Sequence, residues 1–225
     1  MTIESPARLR QKLYQYWQDN LPDWEPGFQV FYSPIEQQPI LFVGINPGGD
    51  AGDFEGDRRR FENGKFSITR TCHDYLSDDP PEIGRKTRPV LGDEIIANSV
   101  KTNINFFRSE DTKTFEKEVS NASQHKKQCR DWVWDIIEYV DPDVIIAEAT
   151  AGAYDPLKDH VLNDVTEVSV DKPQGYRITC VAITPDRTIV GYPLPTGQNQ
   201  YFDANTDGIR TVVHEVIADN TALDL

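Results

Sequence analysis

The stretch Pro39-Ile-Leu-Phe-Val-Gly44 is a continuous apolar run that ends in glycine. Since no polar residue alternates with the apolar ones, both faces of the segment must be covered, as in a strand inside a parallel sheet. A glycine-rich turn, Ile45-Asn-Pro-Gly-Gly-Asp50, follows the strand directly. A second apolar run, Asp143-Val-Ile-Ile-Ala147, has the same character. The two runs predict a parallel sheet buried between layers of helices.

The rest of the chain alternates between strand and helix patterns. Strands are predicted at 29–32, 39–44, 100–105, 143–147, 177–183 and 188–191, and helices at 6–19, 91–99, 122–140, from about 150, and 206–218. Residues 46–89 show little periodicity and are expected to form a long functional loop. The predicted fold is a single three-layer α/β/α domain over 1–225, with a mostly parallel sheet of four to five strands and a lead-in at 1–38.

Composition limits the class of protein. The chain has 225 residues, of which 38% are hydrophobic and 27% charged, which is typical of a globular protein. No apolar run approaches the ~20 residues of a membrane span, and the first residues lack a secretion-signal pattern. We therefore expect a cytosolic protein, or a nuclear one in a eukaryote. The three cysteines form no Cys-x-x-Cys pair, which excludes a four-cysteine metal site.

The charge of the chain is unevenly distributed. The formal net charge of −14 argues against a general nucleic-acid binder. Residues 55–130, however, hold 15 Lys and Arg against 13 Asp and Glu, whereas the rest of the chain holds 8 against 24. Residues 58–70 contain five basic residues and one acid, so this segment is a candidate for phosphate contacts. The alternative is a solvated segment whose arginines pair with neighbouring acids.

Two loops carry unusual chemistry. The turn at 44–50 allows a ligand to approach the main chain and presents the Asn46 carboxamide with several N–H groups, an arrangement that suits anions. It matches neither the Walker A nor the G-x-G-x-x-G pattern. The loop 191–199 contains Pro193 and Pro195, which make a rigid arch. Each loop alone is equally compatible with an ordinary turn. In a parallel sheet, the loops after 44, 103, 147 and 191 should meet at one crevice.

These segments together resemble the uracil-DNA glycosylase superfamily. Gly44-Ile-Asn-Pro-Gly48 matches the first motif of its mismatch-specific and thymine-DNA glycosylase branch. Lys65-Phe-Ser67 resembles an aromatic-Ser pair, and Lys101-Thr-Asn103 resembles a Thr-Asn pair that reads the pyrimidine edge. The stretch from Asp141-Pro-Asp-Val-Ile-Ile to Ala149-Thr-Ala-Gly152 resembles the region of the fourth strand. The second motif differs, because Tyr192-Pro-Leu-Pro195 lacks the family's histidine.

The resemblance implies a monofunctional DNA glycosylase. Such an enzyme flips a pyrimidine (uracil, mismatched thymine or a modified pyrimidine) out of DNA and hydrolyses its N-glycosidic bond, leaving an abasic site. It implies that Asn46 orients the attacking water and that the base is held by Gly48, Gly49, Phe66, Asn103 and Tyr192. It implies DNA contacts by Arg58, Arg59, Arg60, Lys65, Leu194, Thr196 and Gln198, with Leu194 as the wedge. No cofactor or metal is expected, DNA is the expected partner, and a monomer without membrane attachment is expected.

Three alternatives stay open on the sequence. One is a glycosylase that removes hypermodified cytosine, such as glucosylated hydroxymethylcytosine, from bacteriophage DNA as a defence enzyme. Another is a protein with the same fold that binds nucleic acid or nucleotide without cleaving it, which the acidic composition favours. The third is a metal-dependent phosphodiesterase that uses Asp50, Asp53 and Asp57, although their spacing fits no calcium loop.

Overall fold

The computed structural model describes residues 5–67, 70–172, 175–196 and 199–223. Its centre is a sheet of strands in the order β2-β1-β3-β6-β5-β4. The strands are β1 (Ile40–Gly44), β2 (Ser99–Asn103), β3 (Val144–Glu148), β4 (Thr166–Asp171), β5 (Thr179–Ile183) and β6 (Thr188–Tyr192). Strands β2, β1, β3 and β6 run parallel to one another, whereas β5 is antiparallel to both β6 and β4. The α/β class and the mostly parallel sheet are confirmed.

The predicted count of four to five strands is wrong, because the described sheet has six. The strand missed by the sequence prediction is β4, which reads Thr-Glu-Val-Ser-Val-Asp and is exposed along nearly its whole length. It lies at the edge of the sheet, and of its two valines only Val170 packs against the core, so its apolar pattern is too short to predict a strand.

The strand predicted at 29–32 does not form. The segment runs beside β2, but it is joined to its surroundings by a single bridge between Phe28 and Phe107 and by isolated hydrogen bonds. Side-chain hydroxyls replace the ladder here: Thr102 Oγ1 donates to the carbonyl of Val30, and Ser33 Oγ accepts from the N–H of Lys101. Apolar residues in this segment are therefore buried without strand pairing.

Helices cover both faces of the sheet. They are α1 (Pro6–Asn20), α2 (Ala51–Glu62), α3 (Glu82–Leu91), α4 (Asp93–Ala97), α5 (Thr112–Glu118), α6 (Ala122–Val140), α7 (Gln200–Asp203) and α8 (Thr206–Asn220). Helices α1 and α6 pack in one core, and α3, α4 and α8 in the core on the opposite face, which is consistent with three layers. None of the helices within the described ranges is long and apolar enough to cross a membrane.

The loop predicted over 46–89 contains helix α2, a short 3₁₀ helix at Asp74–Leu76 and most of helix α3. Helix α2 begins at a capping box in which Asp50 and Asp53 satisfy each other's backbone N–H groups. Only Phe54 and Phe61 are buried among its residues, so the apolar stripe expected of a packed helix is absent from the sequence. Capping and neighbouring charged pairs, rather than hydrophobic periodicity, therefore define this helix.

Replacement of Ile145 by alanine should lower the free energy of unfolding by about 2–5 kcal/mol, because a fully buried side chain of the central strand β3 would leave a cavity. The matched control is Ile183→Ala, since Ile183 is 42% exposed on β5 and its loss should cost no more than about 1 kcal/mol. Urea unfolding of both variants measures the difference. Equal losses would contradict the placement of the core.

Candidate functional site

A cavity of about 290 Å³ lies at the carboxyl end of the parallel strands. Strand β1 has β2 on one side and β3 on the other, so the connections leaving this edge run in opposite directions and open a crevice. The described lining includes Gly44 at the end of β1 with 45–48 after it, Asn103, Ser109 and Glu110 at and after the end of β2, Glu148 of β3, and Leu194 and Thr196 after β6. The predicted meeting of the four loops is therefore confirmed.

Gly44 makes room at the base of this cavity. It pairs in register with Asn103, and the register between β1 and β3 places Glu148 on its other side. A Cβ atom on Gly44 would lie 2.3 Å from Oδ1 of Asn103 and 3.8 Å from Oε2 of Glu148. The missing side chain thus leaves a gap between two polar side chains that both line the cavity.

The Asn46 carboxamide is held in one orientation. Its Nδ2 donates to the carbonyl oxygens of Pro47 and Ser109, at 3.1 and 3.2 Å, and lies 3.1 Å from Oγ of Ser109. Carbonyl oxygens only accept hydrogen bonds, so the nitrogen must lie on this side and Oδ1 on the other. Within the described residues Oδ1 has no hydrogen-bond partner, which leaves an acceptor on a residue that lines the cavity.

An ion pair between Lys101 and Glu148 lies at the base of the cavity. The two residues are 5% and 1% exposed, and the Tyr75 hydroxyl contacts both of them. Tyr192 adds a longer hydrogen bond, with its hydroxyl 3.4 Å from Oε1 of Glu148. Burial, reinforced by the Glu148 carboxylate, raises the pKa of both tyrosines well above the ordinary value, so their hydroxyls remain protonated donors.

The sequence interpretation missed Lys101 and Glu148, although a signal was present. Lys101 lies inside a predicted buried strand, and Glu148 follows directly after another one. A charged residue in such a position must be paired or functional, because burial of an isolated charge is costly. Tyr32 was also missed: its hydroxyl accepts a 2.9 Å hydrogen bond from Asn103 Nδ2, and burial raises its pKa.

Phe66 and Tyr192 do not line the cavity as the base-contact prediction requires. The Phe66 ring stacks on Phe61 at 5.4 Å between centroids and packs against Tyr14, in the aromatic core beside α1. Tyr192 is fully buried, and its hydroxyl is directed to Glu148 and not to an incoming base. In both cases the aromatic ring packs in or against the adjoining hydrophobic core and not into the cavity.

The two glycines of the turn have different positions. Gly48 lines the cavity, and the position of its absent Cβ is open. Gly49 does not line it, has a φ of +105°, and would place a Cβ 2.2 Å from Asp53 Oδ2. Its role is therefore to turn the chain into α2, which leaves Gly48 as the glycine placed to approach a ligand.

The predicted DNA-contact residues that the structure describes lie in two places, at the cavity and on or just after helix α2. Leu194 and Thr196 line the cavity, whereas Gln198 lies outside the described residues. Four basic residues follow the turn instead, on α2 and just beyond it: Arg58, Arg59, Arg60 and Lys65. The three arginines pair along the helix with Glu62, Glu55 and Asp57. Such exposed pairs are weak, so the arginines can exchange these partners for phosphates.

The carboxylates of the phosphodiesterase alternative are engaged elsewhere. Asp50 and Asp53 cap α2, and Asp57 lies near Arg60. In the part of the chain that the structure describes, no cluster of three His, Cys, Asp or Glu residues is arranged to hold a metal ion. The geometry therefore gives this alternative no support.

Comparison of the chain with protein-family models found no match, and neither did comparison with curated proteins.

Replacement of Gly44 by alanine should lower the free energy of unfolding by about 1–3 kcal/mol, because the new methyl group would overlap Asn103. The matched control is Gly208→Ala on α8, where nothing lies within 4 Å of the new methyl group. That change should stabilise the protein by up to about 1 kcal/mol through helix propensity. Chemical denaturation measures both, and an unchanged or more stable Gly44→Ala variant would contradict the described cavity floor.

Proposed function

We propose that the protein is a DNA glycosylase that accepts a flipped-out pyrimidine in the cavity and hydrolyses its N-glycosidic bond. The observation that carries the proposal is the fixed Asn46 carboxamide, whose oxygen is left as a hydrogen-bond acceptor at the cavity wall. The match of Gly44–Gly48 to the G-I-N-P-G motif supports it. The cavity volume, about 290 Å³, is near the lower end of the range for small-ligand sites and suits a single base.

Asn46 positions the attacking water. Oδ1 accepts a hydrogen bond from the water, which then approaches C1′ of the sugar from the face opposite the base. The C1′–N1 bond breaks, its electron pair passes to the base, and the water oxygen bonds to C1′. An amide is too weak a base to deprotonate water at neutral pH, so the water attacks a sugar that already carries positive charge and releases its proton afterwards.

Acidic side chains that line the cavity can stabilise the positive charge that develops on the sugar. Asp74 and Glu110 line the cavity and are more exposed than Glu148. Carboxylates there stabilise an oxocarbenium-like sugar electrostatically, since the charge develops on C1′ and the ring oxygen. Asn103 supplies the opposite need, because its second Nδ2 hydrogen can donate to a carbonyl of the leaving base.

The DNA backbone is bound by the basic residues after the turn. Helix α2 begins directly after the cavity turn, so Arg58, Arg59 and Arg60 extend the site along the outside of the molecule. Leu194 lines the cavity and is partly buried, a position from which an apolar side chain can enter the space vacated by the base. Flipping costs a few kcal/mol, and less at a mismatch.

A second candidate function is binding of a nucleotide or nucleic acid without cleavage. The observation that favours it is charge: the chain carries a net charge of −14, and three carboxylates but one lysine are found among the described residues that line the cavity. The two functions differ in one product, because only a glycosylase leaves alkali-labile abasic sites.

Replacement of Asn46 by alanine should slow base release by about 100-fold or more, because the water loses its acceptor, while duplex binding stays within about threefold. The assay is single-turnover cleavage of labelled oligonucleotides in EDTA, followed by alkali, across a panel of uracil, mismatched thymine and modified cytosines. Asn98→Ala, which removes a surface asparagine bonded to the Glu94 carbonyl, is the matched control and should retain wild-type rates.

Ser109→Ala tests whether the orientation of Asn46 matters. The change removes the hydrogen bond between Oγ and Nδ2 but keeps the one to the carbonyl, so base release should slow less than in Asn46→Ala. Wild-type rates in Asn46→Ala, or activity that is lost entirely in EDTA, would contradict the proposed mechanism.

Simultaneous replacement of Arg58, Arg59 and Arg60 by glutamine should flatten the salt dependence of DNA binding. Each phosphate interaction that the substitutions remove should reduce the slope of log K against log salt by about 0.9 on duplex DNA. Lys158→Gln, which removes a lysine paired with Glu167 outside the cavity lining, is the control and should leave the slope unchanged. Fluorescence anisotropy at several salt concentrations gives both slopes, and an unchanged slope in the triple variant would place the DNA elsewhere.

A further inference from the structure

We infer that the floor of the cavity recognises a pyrimidine bearing an exocyclic amine, with Glu148 accepting from the amine and Lys101 donating to the neighbouring ring nitrogen. The inference rests on the proposed function, because it names the class of base that the glycosylase accepts. It extends to a pyrimidine nucleotide if the protein only binds its ligand.

The burial of the ion pair is the first observation. Lys101 and Glu148 are 5% and 1% exposed, yet both line the cavity. Removing two charges from water is expensive, and apolar residues of similar size often stabilise a fold as well as a buried ion pair does. The pair also lies at the crevice where the parallel strands end, which is where ligands bind in open α/β sheets. A ligand that forms hydrogen bonds with the pair would explain why two charged residues are buried here and why they lie at the crevice.

The hydrogen bonds of the pair leave one donor and one acceptor site. The Lys101 ammonium has three N–H groups; one is directed to Glu148 and one to the Tyr75 hydroxyl. The Glu148 carboxylate has about four acceptor sites, three of which are used by Lys101, Tyr75 and Tyr192. Among the described residues, these hydrogen bonds leave one N–H of Lys101, whose Nζ also lies 4.1 Å from the centre of the Tyr75 ring, and one lone pair of Glu148 without a hydrogen-bond partner.

A cytosine-type edge complements this pair. Its exocyclic amine donates and the adjacent ring nitrogen accepts, so the amine faces Glu148 and the ring nitrogen faces Lys101. In the same orientation, a uracil-type edge presents its carbonyl to Glu148 and its ring N–H to Lys101. An acceptor then faces the carboxylate and a donor faces the ammonium, so both contacts are repulsive. The carbonyl shared by both bases can be bound by the Nδ2 group of Asn103.

The charge of the whole cavity favours the same base. Asp74, Glu110 and Glu148 line it against Lys101 alone, counting the described residues. Carboxylates accept hydrogen bonds and offer none, so they select a ligand rich in donors. An exocyclic amine has two N–H groups, whereas the uracil edge has one. When the C1′–N1 bond breaks, the electron pair delocalises onto the carbonyl oxygen and ring nitrogen, where the hydrogen bonds from Asn103 and Lys101 strengthen.

The test measures binding of uncleavable DNA. Single-stranded oligonucleotides carry one 2′-fluoroarabino nucleotide from pairs that differ only at C4: cytosine and uracil, 5-methylcytosine and thymine, 5-hydroxymethylcytosine and 5-hydroxymethyluracil. Fluorescence anisotropy with the full chain should show the amino member of each pair bound about tenfold or more tightly. Glu148→Gln should lose that preference, since an amide can donate as well as accept. Equal or tighter binding of the oxo members by the wild type, or an unchanged preference in Glu148→Gln, would overturn the inference.

Two further variants separate recognition from folding. Lys101→Met combined with Glu148→Leu removes the pair without leaving a buried charge, and it should unfold cooperatively yet show no preference at C4. Asp155→Asn breaks the ion pair with Arg177 away from the cavity and should keep the wild-type preference. A preference retained by the folded double variant would also overturn the inference.

The failure of the inference and the failure of the proposed function give different results. Binding of uncleavable DNA needs no catalysis, so a preference for the amine without any abasic product overturns the glycosylase proposal alone. Abasic product without a preference at C4 overturns the base-recognition inference alone.

Discussion

The hydrogen bonding of β1 on both of its edges determines where chemistry can occur in this protein. Parallel partners on each side bring the ends of three strands together, and the register sets Gly44 between Asn103 and Glu148. A glycine at that single position keeps the space between two polar side chains empty. The cavity is therefore a consequence of strand register, and any change that shifts β1 along its neighbours would move every group of the site at once.

Two kinds of polar contact then give the cavity its chemistry. At the wall, backbone carbonyls fix the nitrogen of Asn46 and so free its oxygen for a ligand or a water molecule. At the floor, Lys101 and Glu148 hold each other in a region that water scarcely reaches, where hydrogen bonds and charges act more strongly than at the surface. The first arrangement suits positioning of a nucleophile, and the second suits reading of a base edge.

Much of this architecture could be predicted from the sequence. Apolar runs predicted β1 and β3, and helical periodicity predicted both ends of α6. The parallel order of the strands predicted that the loops converge on one crevice. The edge strand β4 and helix α2 could not be found, because neither has a clear apolar stripe. Phe66 was misplaced because an aromatic residue in a loop carries no information about which core it joins. The resemblance to a Thr-Asn pair points only to Asn103, although a lysine within a buried strand is itself a signal of function.

The most direct test of the account is a crystal structure of the full chain with duplex DNA that contains one uncleavable 2′-fluoroarabino pyrimidine opposite a mismatch. We expect this nucleotide to be turned out of the helix, with its base edge on Lys101 and Glu148 and a water molecule between C1′ and Asn46 Oδ1. A base that remains stacked in the duplex, or one bound with its sugar facing away from Asn46, would contradict this expectation.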